Sequence, residues 1–310
     1  PAAQLAGRLD DPAPLLIVGF QGMRDFYPTL AAHHLAQTGI RARAVYLPYD
    51  LISGRRDANN VHLAQELEAP AHRQVLAHAL RGVAAPGERI GLPAILGIDQ
   101  HAAVWRELEA AAGAPIFEIP TLPPSVPGIR LHRALVRQIE THGGRVESNM
   151  AVTNFAGAGD RIAWVETATS ARPLRHHAKA FLLATGGILG GGFESNPSGH
   201  VWETIFDLPL TVPQGREHWF RPAFLDPQGH PVYQGGVQTG ADFRPGLDGA
   251  PRYANLWAAG SVLAHADPIR ERSREGLAVA SAAGAVQAIL AHLGHPAALS
   301  TSSPAGQPAG

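Results

Sequence analysis

The sequence predicts an α/β fold with a parallel sheet, an antiparallel meander and a second α/β domain. Two buried-strand patterns end in glycine turns, over residues 179–187 and 255–260, and a helical pattern of small residues follows the second. A third strand, turn and helix opens the chain at residues 15–37. Because strands that alternate with helices usually pair in parallel, these observations favour a parallel sheet.

The composition excludes several classes of protein. The chain has 310 residues, of which 45% are hydrophobic, and a formal net charge of -1. This length permits one large or two ordinary domains. No excess of Lys and Arg exists to neutralise a phosphate backbone, so we do not expect nonspecific binding of nucleic acid. The chain has no cysteine and therefore no iron–sulfur cluster or redox thiol of its own, so any electrons reside on an organic cofactor or a partner.

The sequence also predicts where the protein resides. No apolar run reaches the ~18 residues that a membrane span needs. No signal-peptide pattern opens the chain. We therefore expect a cytoplasmic protein without a direct membrane span, in contact with the inner face of the cell membrane only through partners. The histidine pairs at His33-His34 and His176-His177 lack carboxylates at metal-ligand spacing, so no metal site is predicted.

The first part of the chain is predicted to form one domain. Residues 1–14 are a loose lead-in, and residues 15–127 form an α/β domain on the substrate side or at an interface. Its predicted strands cover residues 15–18, 43–47, 89–95 and 116–119, and its helices cover residues 28–37, 61–83 and 100–112. Gly19 and Gly22 join the first strand to the first helix, but they lack the Gly-x-Gly-x-x-Gly spacing of a dinucleotide site. We interpret them as a structural turn.

The second part begins after a proline-rich segment. Residues 120–127 are predicted to be extended because proline lacks a backbone donor, and they fit either an interdomain connector or a segment that lines a site. Residues 128–205 follow, with a helix over 128–142 and a strand from Lys179. Between them, residues 145–148, 152–155 and 162–167 are predicted to form the meander, with a hairpin turn at residues 157–160. Residues 206–250 are predicted to be a β-rich substrate-side segment, residues 251–296 a closing strand, loop and helix, and residues 297–310 a disordered tail.

Four segments resemble a known protein family. They are Pro-Thr-Leu-Pro-Pro-Ser-Val-Pro-Gly-Ile-Arg at 120–130, Ala-Thr-Gly-Gly at 184–187, and residues 18–26 and 255–276. Together they resemble the B subunit of the anaerobic, quinone-linked glycerol-3-phosphate dehydrogenase, over about residues 15–293. The resemblance implies a two-domain flavoprotein fold of the glutathione-reductase-like FAD/NAD(P)-binding type, here without its N-terminal Gly-x-Gly-x-x-Gly βαβ unit.

The missing unit affects which cofactor is expected. A diphosphate needs several backbone N–H donors at a helix start, and each charge-assisted bond contributes about 1.5–3 kcal/mol. The resemblance therefore implies FMN or weakly held FAD, with an empty site as the alternative. The sequence leaves open whether the unit is missing only from this chain or from the natural protein.

The resemblance also implies six cofactor-binding residues, four of which lie in the two glycine turns. Thr185 and Gly186 would border the adenosine side of the flavin. Gly260 and Ser261 would approach its ribityl and phosphate region. The predicted site therefore requires the two turns to lie side by side and to enclose one aromatic ring.

The other predicted site residues follow the second turn. Asp267 would accept a hydrogen bond from a sugar hydroxyl, or serve only as a turn residue, and Gly276 would start the helix that faces the ring. Residues 270–275 form a charged run, which is either a solvated surface or a set of arginines that attract a phosphate. Oxidation of an alcohol needs a base for the hydroxyl proton, for which His265 is the candidate and His230 a weaker one.

Three functions follow as hypotheses. The first is a flavin-dependent subunit that oxidises sn-glycerol 3-phosphate to dihydroxyacetone phosphate. By the resemblance, it would work beside a catalytic flavoprotein (the A subunit) and an iron–sulfur membrane anchor (the C subunit). The second is a non-catalytic assembly subunit that keeps the scaffold without a cofactor. The third, an independent FAD oxidoreductase, requires a complete cofactor fold that the sequence does not contain.

Overall fold

A computed structural model describes residue 3 and residues 6–55, 59–247 and 249–295. The chain divides into two compact units, Pro1–Val146 and Glu147–Gly310. Each unit is described by itself below. The predicted tail over residues 297–310 and residues 1, 2, 4 and 5 of the predicted lead-in lie outside the described residues. Among the described helices, none has the length and apolar character required to cross a bilayer.

The first unit is built on a parallel sheet, as the sequence predicts. Its strands are β1 (Leu15–Phe20), β2 (Ala42–Leu47), β3 (Arg89–Pro93) and β4 (Ile116–Ile119). They pair in parallel in the order β2-β1-β3-β4. All residues of the central strands β1 and β3 are buried, which explains the continuous apolar pattern of β1.

Within residues 6–55 and 59–146, five α-helices accompany this sheet, and one prediction about them is wrong. The helices are α1 (Pro28–Gln37), α2 (Asn60–Glu66), α3 (Pro70–Val83), α4 (His101–Ala112) and α5 (Val126–Thr141). The single helix predicted over residues 61–83 is in fact the pair α2 and α3. Pro70 explains the break, since it lacks a backbone N–H and forces the preceding Ala69 to an extended ψ of 125°.

Helix α5 belongs to the first unit, although the sequence-based division placed a boundary after residue 127. The helix begins at Val126, because Ser125 Oγ accepts the Gly128 N–H at 3.1 Å and caps it. Val126 packs with Ala64 of α2 in a small buried cluster. This packing ties the proline-rich segment and α5 to the α/β sheet that precedes them.

A buried ion pair also fixes α5. The Arg130 guanidinium donates two hydrogen bonds to the Glu118 carboxylate of β4, at 2.6 and 2.8 Å, and a third to the Gly97 carbonyl at 2.7 Å. The Glu118 side chain is 0% exposed and that of Arg130 is 9% exposed. Nearby, His101 contacts the Leu96 carbonyl through Nδ1 at 2.8 Å, and burial lowers its pKa.

The second unit opens with the predicted antiparallel meander, but with a different set of strands. They are β5 (Val152–Ala158), β6 (Arg161–Thr167) and β7 (Leu174–His176), in the order β5-β6-β7. The strand predicted over residues 145–148 does not form. Ser148 and Asn149 turn the chain there, with Asn149 at a φ of 61°. The third strand of the meander is β7, which pairs with β6.

The rest of the second unit contains a short parallel pair and one long helix. Its elements are β8 (Phe181–Leu183), β9 (Phe193–Ser195), β10 (Val201–Glu203), β11 (Gly246–Leu247), β12 (Ala250–Pro251), β13 (Leu256–Ala258) and α6 (Arg274–His292). Strands β8 and β13 pair in parallel, whereas β9 pairs with β10 and β11 with β12 in antiparallel fashion. Residues 206–250, predicted to be β-rich, consist mainly of turns, 3-10 helices and isolated bridges in the described part.

Candidate functional site

The parallel pair β8–β13 brings the two predicted glycine turns together. Leu183 pairs with Ala258, and the Ala259 N–H donates to the Leu183 carbonyl at 3.0 Å. Beyond the strands, the Gly187 N–H donates to Ser261 Oγ at 3.3 Å. The turns at Thr185–Gly186 and Gly260–Ser261 therefore lie side by side, because parallel strands release their loops at the same edge.

The second turn is also tied to helix α6. Gly260 has a φ of +82°, a conformation that favours glycine. Its N–H donates to Ser281 Oγ at 2.8 Å, and the Ser281 hydroxyl donates to the Leu277 carbonyl at 2.6 Å. This chain of hydrogen bonds fixes the turn relative to the first half of the helix.

A small cavity of about 160 Å³ lies next to these turns. Gly186, Ser261 and Arg274 contribute to its wall, together with Ile188 and Tyr233. Its volume is below the roughly 300–1,000 Å³ of typical small-molecule pockets. The space as it stands therefore suits the edge of a ring or a small polar group.

A larger cavity of about 640 Å³ lies along β8. Thr185 lines it with Phe181, Val165, Glu194 and Thr204. The Thr185 Oγ1 atom is buried and has no hydrogen-bond partner among the described residues. An unpartnered buried hydroxyl beside a cavity of this size fits a ligand that carries a hydrogen-bonding group.

A buried carboxylate lies behind this larger cavity. The Glu203 side chain accepts N–H bonds from Phe206 at 2.6 Å, from Ile205 at 3.0 Å and from Leu208 at 3.4 Å. Burial nevertheless raises the pKa of Glu203 above its ordinary value. Because it holds the main chain of residues 205–208, Glu203 shapes the wall that Ile205 and Phe206 contribute.

Asp267 occupies a turn rather than the wall of either cavity. It is 2% exposed, and its Oδ1 accepts the N–H groups of Ile269 at 3.2 Å and Arg270 at 3.0 Å. Its Oδ2 has no hydrogen-bond partner among the described residues and packs against Gly229, where an added Cβ would meet it at sub-contact distance. These contacts are those of the turn residue that the sequence offered as one alternative.

The start of helix α6 is the second feature beside the small cavity. The helix begins at Arg274, within the predicted charged run, and the Ser273 side chain does not cap it. The first helical N–H groups therefore lack a side-chain acceptor and leave a partial positive charge there. Gly276 lies in this first turn and is exposed, and a Cβ added to it would meet no atom within 4 Å.

Neither candidate histidine lines these two cavities. His265 is exposed with a φ of 68°, and its N–H donates to the Gln234 carbonyl at 2.9 Å. Both ring nitrogens of His230 are engaged, since Nδ1 accepts the Arg221 N–H at 3.1 Å and Nε2 donates to the Phe224 carbonyl at 3.0 Å. The structure therefore brings together Thr185, Gly186, Gly260 and Ser261, but it does not add a histidine to them.

Sequence reasoning missed part of the cavity wall. Ile188 follows the first turn directly and is found by extending that motif, whereas Tyr233 and Val232 come from a 3-10 helix that is distant in sequence. No local pattern marks those two residues as neighbours of Ser261. Arg274 was within the charged run that the sequence did single out.

Comparisons with known proteins show the family of the chain. The FAD binding domain family matches residues 2–277. The probable B subunit of the anaerobic glycerol-3-phosphate dehydrogenase of Halobacterium salinarum is 35% identical over 308 residues, which cover 94% of this chain and 71% of the relative. The corresponding B subunit of Yersinia pseudotuberculosis is 33% identical over 92% of this chain and 68% of its own length. No solved structure matches the chain.

The α/β fold, the paired glycine turns and the family match together define the class of protein. It is a flavoprotein-type chain with an FAD binding domain. Within that class, the chain belongs to the family of the anaerobic glycerol-3-phosphate dehydrogenase B subunits.

Proposed function

We infer that this chain is the flavin-binding subunit of a glycerol-3-phosphate:quinone oxidoreductase. The complex oxidises sn-glycerol 3-phosphate to dihydroxyacetone phosphate and passes electrons to quinone through its partners. Those partners are a catalytic flavoprotein (the A subunit) and an iron–sulfur membrane anchor (the C subunit). The absence of cysteine from the chain supports this division of labour, because the chain supplies no cluster ligands of its own.

One observation carries the proposal: the turns that end β8 and β13 lie side by side next to the start of α6. The contact between Gly187 and Ser261 joins the turns, and Arg274 at the helix start lines the cavity beside Ser261. Main-chain N–H groups at a helix start favour an anionic or electron-rich group. A flavin ring edge and a phosphate are both groups of this kind.

In this proposal, the two cavities hold different parts of a flavin. The space of about 160 Å³ beside Ser261 suits the ring edge or the ribityl phosphate end. The space of about 640 Å³ beside Thr185 has room for further groups on the adenosine side, and Thr185 Oγ1 offers them an unsatisfied partner. The chain has no Gly-x-Gly-x-x-Gly loop for a diphosphate, so FMN or weakly held FAD is the cofactor that we propose.

A bound flavin would supply an acceptor for the hydride from C2 of glycerol 3-phosphate. The hydroxyl proton then needs an acceptor within hydrogen-bond reach. Arg274 lines the small cavity, and in this proposal its guanidinium holds the substrate or cofactor phosphate. We propose His265 as this proton acceptor; it is exposed and lines neither cavity, so this role requires it to move toward the bound substrate.

The test is a titration of the purified chain with FMN, FAD and riboflavin, followed by visible absorbance and quenching of flavin fluorescence. We expect saturable binding of FMN or FAD and weaker binding of riboflavin, which lacks a phosphate. Anaerobic addition of glycerol 3-phosphate to the loaded chain then tests catalysis separately through loss of flavin absorbance. Absence of binding by every flavin would overturn the cofactor proposal.

The non-catalytic assembly subunit is the second candidate. It is favoured by one observation, that neither cavity beside the turns is lined by a described histidine. A chain that co-purifies with a larger flavoprotein, binds no flavin and leaves substrate oxidation to its partner would establish this alternative.

A further inference from the structure

A surface loop of the second unit carries an unusual run of exposed apolar residues. Residues 222–225 read Pro-Ala-Phe-Leu, and all four are exposed. Phe224 is 89% exposed and Leu225 is 86% exposed, whereas Phe220 at the base of the loop is 55% exposed. Four consecutive exposed apolar residues oppose solubility and are retained in proteins mainly where they serve a function.

Hydrogen bonds hold the loop that carries Phe224 and Leu225, so the exposure of these side chains does not result from an unsupported loop. The Arg221 N–H donates to His230 Nδ1 at 3.1 Å, and Arg221 Nε donates to the Gly229 carbonyl at 3.0 Å. On the far side, Arg270 Nε donates to the Pro227 carbonyl at 3.0 Å. These bonds clamp both ends of the loop, so the two large side chains are held outward.

We propose that this loop tip, Phe224 and Leu225, inserts into the interfacial region of a lipid bilayer. The tip is too small for a stable protein interface, which buries about 800 Å² on each partner. Burial of a Phe or Leu side chain contributes about 1.5–3 kcal/mol, so two protruding side chains favour reversible attachment at the boundary between headgroups and acyl chains. This inference does not rest on flavin binding or on the proposed reaction.

Three main-chain positions of the loop need no hydrogen-bond partner from the lipid. Pro222 has no N–H to satisfy, and the Phe224 carbonyl already accepts a hydrogen bond from His230 Nε2 at 3.0 Å. The Arg221 N–H is likewise paired within the loop. The other main-chain groups of the tip take their hydrogen bonds from water and lipid headgroups, because the interfacial region, unlike the hydrocarbon core, supplies such partners.

Aromatic side chains with polar atoms lie behind the tip. The Phe220 ring centroid is 5.5 Å from that of His230 and 6.2 Å from that of Tyr233. Such amphipathic rings favour the level of the lipid headgroups. Charges of both signs lie at the base of the loop, where Arg221 Nε is 3.9 Å from Asp226 Oδ1. Burial of apolar surface, and not net charge, therefore drives the attachment.

The same surface continues to the small cavity. Tyr233 forms part of that cavity wall, as do Leu189, which is 73% exposed, and Ile269, which is 52% exposed. An inserted tip would therefore hold the mouth of the cavity near the membrane surface. The proposal thus adds a direct lipid contact to the indirect one that the sequence predicts.

The absence of cysteine makes a site-specific test possible. The variant L225C, labelled with an environment-sensitive fluorophore, is mixed with phosphatidylcholine vesicles. We expect a several-fold rise and a blue shift of the fluorescence, because the label enters an apolar medium. The matched control is V279C on α6, a residue that is 72% exposed outside the loop, and its label should not respond.

Co-sedimentation with the same vesicles gives a second measurement. The double variant F224S/L225S should partition about 100-fold less than wild type, whereas V279S should match wild type. The near-ultraviolet circular dichroism of the double variant should be unchanged, because both side chains are exposed. Adding phosphatidylglycerol should change the wild-type partition only slightly.

Several outcomes would overturn the proposal. Wild-type protein that stays in the supernatant at every lipid concentration would do so, as would an L225C label that does not respond or a V279C label that responds equally. If F224S/L225S binds vesicles as wild type but loses a protein partner, the tip is a protein contact and the lipid proposal is wrong.

Discussion

The main-chain N–H of Gly187 donates a hydrogen bond to Ser261 Oγ at 3.3 Å, across 74 positions of sequence. The main chain of Ser261 also approaches Gly187 closely, because a Cβ built on Gly187 would lie 2.6 Å from the Ser261 carbonyl oxygen. Gly187 has a φ of -87°, which any residue can adopt. Glycine is therefore required here by the approach of the second turn and not by its own backbone conformation.

The substitution Gly187→Ala should separate the two turns. The added methyl group meets a main-chain atom that cannot rotate away, so we expect a loss of about 1–3 kcal/mol in the free energy of unfolding. Flavin affinity should fall in the same variant. Urea unfolding and flavin titration measure the two effects.

Gly276→Ala is the matched control, since a Cβ there meets nothing within 4 Å and lies in the first turn of α6. It should raise helix stability by up to about 1 kcal/mol. If G276A also weakens flavin binding, Gly276 contacts the ligand as the resemblance predicts. A G187A variant as stable as wild type would contradict the close packing of the turns.

Asp267 provides a test that separates a turn role from a ligand role. Asp267→Asn keeps an oxygen for the N–H groups of Ile269 and Arg270, so stability should change little. Asp267→Ala removes that acceptor and should cost about 1–3 kcal/mol of unfolding free energy. Thermal unfolding of both variants checks this expectation.

The flavin affinity of Asp267→Asn should equal that of wild type if the turn is its whole role. A loss of about tenfold or more at unchanged stability would instead support the sugar-hydroxyl contact that the resemblance implies.

The buried pair of Glu118 and Arg130 should be strongly coupled. Glu118→Gln leaves the Arg130 charge uncompensated in the interior, so we expect a loss of about 3–5 kcal/mol in unfolding free energy. Arg130→Met should be similarly costly. The double variant E118Q/R130M should lose much less than the sum, because it leaves no unpaired charge. Additive losses in a double-mutant cycle from urea unfolding would show that the pair does not act as a unit.

The buried imidazole of His101 should make stability depend on pH. Its folded-state pKa is lowered from the ordinary value of 6.5, chiefly by burial. The folded state therefore binds the proton less readily than the unfolded chain. Its contribution to stability is present above about pH 6.5 and is lost as the pH falls through the folded-state pKa.

Unfolding free energies of wild type and His101→Asn, measured across this range, isolate the effect. Asparagine retains a donor for the Leu96 carbonyl but does not titrate, so the difference between the two proteins should change as the pH falls below about 6.5. A constant difference would mean that His101 does not contribute to the pH dependence.

Several elements could be predicted from local sequence because their signals lie within a few residues. Helix α1 has the predicted bounds, with Pro28 at its start, and the buried patterns of β1 and β4 locate those strands. The turns at residues 185 and 260 were recognised for the same reason. The break at Pro70 also has a local cause, which the helical spacing of the apolar residues on both sides obscured. The strand predicted over residues 145–148 is wrong because the chain turns at Ser148 and Asn149.

The sequence by itself determined the family, the parallel sheet of the first unit and the two glycine turns, since glycine, proline and apolar spacing restrict the backbone locally. Only the tertiary structure decided that Tyr233 lines the cavity beside Ser261, that Asp267 turns the chain, and that Phe224 and Leu225 face solvent. The physical reason is that these properties depend on which atoms meet across long stretches of chain. The spacing of residues along the sequence does not predict such long-range contacts.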